Sequence, residues 1–265
     1  MKYAFMTFSA PSATLDELFA IARGYGYKGI ELRLDSKHRH GVETSLTADE
    51  RRAVAKTLSA SDITTCALAC SCRFADAAAN AEQVRIAKDV VDLADDIGVP
   101  IVRVFGGKIP DGVTREAAAD AVVEALSEIG SHIGGRNVTV CLETHDDWRD
   151  PHAVADVLRR VGHERIAINW DVMHPVRAGF PLDEAFDTMK PWIKYVHIHD
   201  TTSGDELFAP IGEGIVDHKR VLELLHSLPY DGFLSGEWIN WGEYTEYLGR
   251  EIEVMKKYEA ELGIA

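Results

Sequence analysis

Short, nearly continuous apolar runs alternate with longer amphipathic ones along the whole chain. The runs at 3–8, 28–34, 63–70, 100–105, 138–143, 165–170, 193–198 and 232–237 are rich in aliphatic and β-branched residues and are bounded by Gly, Pro or charge. Parallel strands buried on both faces read this way. Between them the apolar positions recur at helical spacing. Val84, Ala87, Val91, Ala94 and Ile97 form one face of a helix that stops at Gly98 before Pro100, and Val122, Leu126, Ile129 and Ile133 form another. Thr14 with Glu17, and Thr47 with Glu50, have capping-box spacing, in which hydroxyl and carboxylate satisfy the free N–H groups of a first turn. Segments after 150, 182, 217 and 243 complete a set of eight helices.

Eight βα units in 265 residues average about 33 residues each, the size of one βαβ repeat. No Pro/Ser/Gly-rich linker or low-complexity tract divides the chain, so 1–265 reads as a single α/β domain. Phe8-Ser9-Ala10-Pro11 follows the first strand, where a doubly wound nucleotide-binding sheet would carry a glycine-rich turn. A closed (β/α)8 TIM barrel is the expected fold, with its chemistry where strands end and βα loops begin.

The chain carries 28 Lys+Arg against 43 Asp+Glu, a net charge of −15, and no stretch crowded with cations. Nucleic-acid and anionic-membrane partners need clustered positive charge, so small-molecule chemistry is expected instead. No window approaches the roughly 18 apolar residues that span a bilayer. The opening Met1-Lys2-Tyr3-Ala4-Phe5-Met6-Thr7-Phe8 is too short and too interrupted for a signal sequence and reads as a first strand, which points to a cytoplasmic protein. Cys66, Cys70 and Cys72 have the spacing of a soft-metal site, but their segment reads as a core strand in which Cys is a small hydrophobe; Cys141 reads the same way.

Four residues stand where barrel chemistry is expected. Glu143 closes the fifth strand, Asp171 follows the sixth, His197 lies near the end of the seventh and Glu237 closes the eighth, at separations of 28, 26 and 40 residues. The first two separations are close to one repeat, and the loop 199–216 lengthens the third. Three carboxylates side by side repel one another unless a positive charge lies between them. A divalent cation with His197 as its nitrogen ligand meets that need; the oxygen-rich set favours Mn2+ or Mg2+, with Co2+ or Zn2+ also compatible. Glu143 and Glu237, three strands apart, are expected to reach a substrate from opposite sides. One would take a proton from carbon and the other return one, beside a carbonyl polarised by the metal, through an enediolate.

The runs Gly29-Ile30-Glu31-Leu32, Leu142-Glu143-Thr144-His145, Trp170-Asp171-Val172-Met173-His174, Val196-His197-Ile198-His199-Asp200, Ile211-Gly212-Glu213-Gly214 and Ser235-Gly236-Glu237-Trp238 occur in the order seen in the xylose isomerase-like TIM-barrel superfamily, which the chain resembles over nearly its whole length. By motif, the resemblance to ketose 3-epimerases of that family implies Glu143, Asp171, His197 and Glu237 as metal ligands, Glu143 and Glu237 as the proton carriers, and His174 as a substrate contact. It also leaves room for a homodimer. Those epimerases place a substrate-binding Arg after the His-x-x-acid motif, whereas this chain continues Thr201-Thr202-Ser203.

Further substrate-facing candidates are His145, two residues past Glu143, and Arg33, which shares strand phase with Glu31 at the barrel mouth. Arg103, a charge inside an apolar strand, either binds a substrate oxyanion or pairs with Glu31 or Glu143. Trp238 and Trp241 would stack on a sugar or screen the site from water. His199 is expected to face away from His197 or begin the loop. Lys37-His38-Arg39-His40 is either a solvated loop or a landing place for an anionic group. The expected activity is metal-dependent isomerisation or epimerisation of a sugar or keto-polyol. A lyase that dehydrates a keto-sugar or keto-inositol is the nearest alternative, and a non-catalytic sugar-binding barrel is another.

Overall fold

The computed structural model describes residues 1–204 and 207–264. Eight parallel strands, β1 (Lys2–Met6), β2 (Gly29–Arg33), β3 (Thr64–Arg73), β4 (Ile101–Phe105), β5 (Thr139–Glu143), β6 (Ile166–Asp171), β7 (Ile193–Ile198) and β8 (Phe233–Gly236), pair in chain order, and β8 returns to β1. The ring is the closed (β/α)8 barrel that the alternation of runs predicts. Around it lie α1 (Leu15–Tyr25), α2 (Ala48–Ser59), α3 (Asn80–Ile97), α4 (Arg115–Ile133), α5 (Pro151–Val161), α6 (Met173–Arg177), α7 (Leu182–Met189), α8 (His218–His226) and α9 (Tyr244–Leu262). Both capping boxes form: each Thr hydroxyl accepts the N–H of the third helical residue, and that residue's Glu bonds back to the Thr N–H.

Two elements depart from expectation. The third strand runs on to Arg73, beyond the predicted end at 70, because its pairing with β4 shifts register between Ala69 and Arg73 and the chain stays extended through Cys70-Ser71-Cys72. The short helix α6 was not expected; it starts two residues past the end of β6, and the Asp171 carboxylate accepts the N–H groups of Met173 and His174 in its first turn, at 2.9 and 3.3 Å.

The core has two zones. Between strands and helices sit large apolar side chains such as Leu18, Ile30, Leu32, Val91, Leu126, Ile168 and Leu222, each fully buried and contributing about 1.5–3 kcal/mol. Inside the lower barrel the space is narrow, and Ala4, Cys66, Ala67, Cys141, Ala167 and Tyr195 fill it. Even a Cβ at Gly29 would come within 2.6 Å of the Phe233 ring. All four cysteines are free and buried, as small core residues. Above this floor the inward positions turn polar: Cys141 gives way to Glu143, Ala167 to Asn169 and Asp171, and Tyr195 to His197. Among the described residues no helix is long and apolar enough to cross a membrane.

Candidate metal centre

Strand register brings the polar positions together. Asp171 is paired with His197, His197 with Ser235, and Glu143 with Phe105. Glu143, Asp171 and His197 are wholly buried and Glu237 is 4% exposed; one donor atom from each lies within 4.8 Å of the others. His197 Nδ1 sits 3.4 Å from Glu143 Oε1 and 3.2 Å from Glu237 Oε2. His197 Nδ1 and both Glu143 oxygens are buried without a directed hydrogen bond. Buried polar atoms normally have partners, so a cluster of unsatisfied lone pairs around one nitrogen is what a divalent cation would fit.

Arg103, from β4, is the counter-charge already present. Its Nε lies 2.9 Å from Glu143 Oε2 and its Nη2 3.5 Å from Glu237 Oε1, while Nη1 donates to the Cys70 carbonyl at 3.0 Å. The first contact is too bent to count as a hydrogen bond but is a close ion pair, one of the alternatives the sequence leaves open for this residue. The guanidinium also stacks on Phe105, 4.1 Å from the ring centre. Each glutamate thus turns one oxygen to His197 and the other to Arg103.

The charges set the titration directions. Burial opposes ionisation of Glu237, but His197 and Arg103 overcome it and hold the carboxyl well below the usual carboxylate range. Burial also resists the Asp171 charge, and His199 and His174 reverse that effect. For His197, burial favours the neutral ring, yet Glu31, Glu143 and Glu237 raise its pKa well above the ordinary histidine value.

His199 stands one residue past the end of β7, at the start of the loop as one of its two expected placements had it, and its ring is turned inward toward the site. Its Nε2 is 2.8 Å from Asp171 Oδ2 and its Nδ1 2.8 Å from the Glu237 carbonyl oxygen. Glu31 likewise lies below the mouth, against His197 Nε2 at 3.0 Å.

The remaining candidates ring the centre. His145 and His174 are half-buried, with ring centres 4.2 Å apart; His145 also packs on Phe105 at 4.9 Å. Burial lowers the pKa of His174. For His145 it is outweighed by Asp146, whose Oδ1 is 3.2 Å from Nδ1, and the pKa rises to about 9. Arg33 bonds to the Leu34 and Ala69 carbonyls and to Ser71 Oγ. Trp238 is buried, packed against Tyr247 at 5.4 Å and Trp241 at 6.5 Å. In the loop after β2, His38 bonds Thr7, His40 bonds backbone, and Arg39 pairs with Glu17. Arg177 Nη1 donates to Thr201 Oγ1 at 3.2 Å.

Asp200 has a part that sequence reading left unassigned. It accepts the backbone N–H groups of Thr201, Gly212, Gly214 and Val216 at 2.9–3.1 Å, tying down the far end of the loop after β7. A Cβ at Gly214 would stand 2.2 Å from its Oδ1, so the Gly-x-Gly spacing was the available signal.

Residues 19–258 match a family model described as xylose isomerase-like TIM barrel. Among curated proteins, the chain is 23% identical over 180 residues to 3-dehydroshikimate dehydratase of Bacillus anthracis, covering 61% of this chain and 63% of that protein. The chain spans about three fifths of the length of the curated relatives it matches. Two solved structures share the fold at low identity. One is the IOLI protein with a binding zinc atom, with TM-score 0.80, 18% identity and coverage of 99% of this chain and 98% of that one. The other is an L-ribulose 3-epimerase, with TM-score 0.79, 18% identity and coverage of 100% and 99%.

Proposed function

The chain belongs to the xylose isomerase-like TIM-barrel family, and on that premise we propose that it is a divalent-metal-dependent isomerase or epimerase of a sugar or keto-polyol. The observation that carries this reading is the approach of Glu143 and Glu237, from different strands, to one unsatisfied nitrogen of His197. Glu143, Asp171, His197 and Glu237 are the residues that would hold the ion. Bound there, a divalent ion supplies positive charge that polarises a carbonyl and acidifies the neighbouring C–H. The oxygen-rich donors favour Mn2+ or Mg2+, with Co2+ and Zn2+ compatible; the zinc in the similar IOLI structure supports a divalent ion of some kind.

The proton work falls to the chain's own groups. One of the two glutamates removes a proton from carbon and the other returns one, and Arg103 balances their charge between steps. His145 and His174, half-buried at the rim, orient substrate hydroxyls. Arg33 and Arg103 line the side toward β2 and β4, and Trp238 keeps water from the opposite wall. The likeness to an L-ribulose 3-epimerase supports a carbohydrate substrate.

Incubation of the Mn2+-loaded protein in heavy water with ketoses, aldoses and keto-inositols tests the reading. Deuterium should enter at one carbon with the wild type and at least about 100-fold more slowly with Glu143→Gln or Glu237→Gln, while circular dichroism stays unchanged. Undiminished exchange in both variants would overturn the assignment. The second reading is a dehydratase, favoured by the likeness to the Bacillus anthracis enzyme. The same abstraction followed by expulsion of a β-hydroxyl gives a product lighter by one water, which mass spectrometry of the same incubations separates from an isomer.

A further inference from the structure

Glu31 is a fully buried carboxylate in the middle of β2, one step below the four donors. Placing a charge in a barrel interior costs several kcal/mol unless its partners are well aimed. Here they are. His197 Nε2 lies 3.0 and 3.2 Å from its two oxygens, and Tyr195 Oη donates to Oε2 at 3.0 Å. Tyr195 is itself held, with Cys66 Sγ 3.2 Å from its hydroxyl, and Cys66 Sγ donating to the Ile30 carbonyl at 3.2 Å. The chain of contacts crosses the barrel from β3 through β7 to β2 and ends on the far nitrogen of His197.

We propose that Glu31 is a positioning residue that sets the tautomer and tilt of His197. A carboxylate is an acceptor, so the nitrogen facing it must carry the hydrogen. With Nε2–H committed to Glu31, Nδ1 is the nitrogen that gives up its proton and offers a lone pair when the ring is neutral, as a ligand must be, and it is the one that faces Glu143 and Glu237. Glu31 therefore presets His197 as a ligand without touching the ion. This inference rests on the reading that those four residues hold a divalent cation.

Two readouts on Glu31→Gln test it, neither of them turnover: Mn2+ affinity by titration calorimetry, and the visible absorption bands of bound Co2+. Gln keeps the size but offers a weaker acceptor. Affinity should fall about 10–100-fold and the Co2+ bands should change in position or intensity, with the thermal midpoint of the metal-free protein near that of wild type. Tyr195→Phe removes only one of the donors to Glu31 and should weaken Mn2+ binding a few-fold; it serves if Glu31→Gln does not fold. Wild type that binds Mn2+ beside a folded Glu31→Gln protein with the same affinity and the same Co2+ bands would overturn the positioning role and leave the metal centre standing. Should Glu31→Gln not fold, unaltered affinity and bands in Tyr195→Phe would overturn it likewise. Wild type that binds neither ion would overturn both.

Discussion

The two sides of the barrel mouth are built by the same rule and end differently. On both, inward side chains appear at every second strand residue. On the side of β2 and β3, Arg33 spends its donors on the Leu34 and Ala69 carbonyls and Ser71, and His40 donates Nε2–H to the Arg33 carbonyl while its Nδ1 accepts from Val42 N–H. Across the barrel at β5 and β7, Glu143 has two buried oxygens and His197 one buried nitrogen that no hydrogen bond reaches. One side is closed on its own backbone; the other is left chemically unfinished. Satisfied buried polar groups stabilise a fold, whereas convergent unsatisfied ones cost stability and mark where an external partner is expected. Arg103 is the seam between them, bonded to a β3 carbonyl and paired with the glutamates.

Breaking the seam should have the largest effect. Arg103→Met removes the guanidinium paired with Glu143 and Glu237 in a buried site, and the metal-free protein should lose about 3–5 kcal/mol of stability. A divalent ion offers the same carboxylates a replacement charge, so added Mn2+ should raise the thermal midpoint of Arg103→Met more than that of wild type. Denaturant unfolding with and without Mn2+ checks both; equal increments would mean that Arg103 and the ion do not share partners.

Arg33→Met tests the closed side and should cost less, about 1–2 kcal/mol, because what is lost is hydrogen bonds to carbonyls and a hydroxyl with a long, partly exposed ion pair to Asp35 at 3.9 Å, and the Ala69 oxygen keeps the N–H of Leu34 at 2.9 Å. Its deficit should be the same with and without Mn2+. A deficit that Mn2+ erases would place Arg33 in the metal side's network and dissolve the distinction.

Much of this division was legible from residue order, and the exceptions have physical causes. The strands stand out because both of their faces are buried, and the four donors because each lies at or just past a strand end, the first three about one repeat apart. His199 begins the loop after β7, as one reading had it, but its partner is not legible from spacing: the structure puts its ring on Asp171. The depth of Glu31 depends on how neighbouring strands are staggered. Its pairing with Met6 on one side and Ala67 on the other sets it below the mouth, and no single strand's sequence holds that information. The α6 helix is hidden from the sequence because Asp171, which its position marks as a ligand to a cation, also takes the first N–H groups of that helix: Oδ1 accepts them while Oδ2 faces His199.

The smallest effect separates the two sides by pH. Burial pulls the pKa of His40 down to about 4 from an ordinary value near 6.5, and the geometry explains why: protonating Nδ1 would destroy its bond from Val42 N–H. The unfolded chain takes up a proton at this residue near pH 6.5 and the folded chain does not until about pH 4, so the neutral ring's contribution is intact above pH 6.5 and is lost as pH falls toward 4. Between pH 7.5 and 5.5 the loss should be about 1 kcal/mol. His40→Gln keeps an amide N–H for the Arg33 carbonyl and an oxygen for Val42, but cannot titrate. Urea unfolding of the two proteins at both pH values should therefore show wild type losing about 1 kcal/mol more than the variant, because the other titrating groups cancel in the difference. The hydrogen bonds of His40 run to the Arg33 carbonyl and the Val42 N–H and to none of the four donors, so the same difference measured with saturating Mn2+ should be unchanged. Parallel losses in wild type and His40→Gln would show that this histidine is not held neutral, and that the β2 side is less closed than its hydrogen bonds imply.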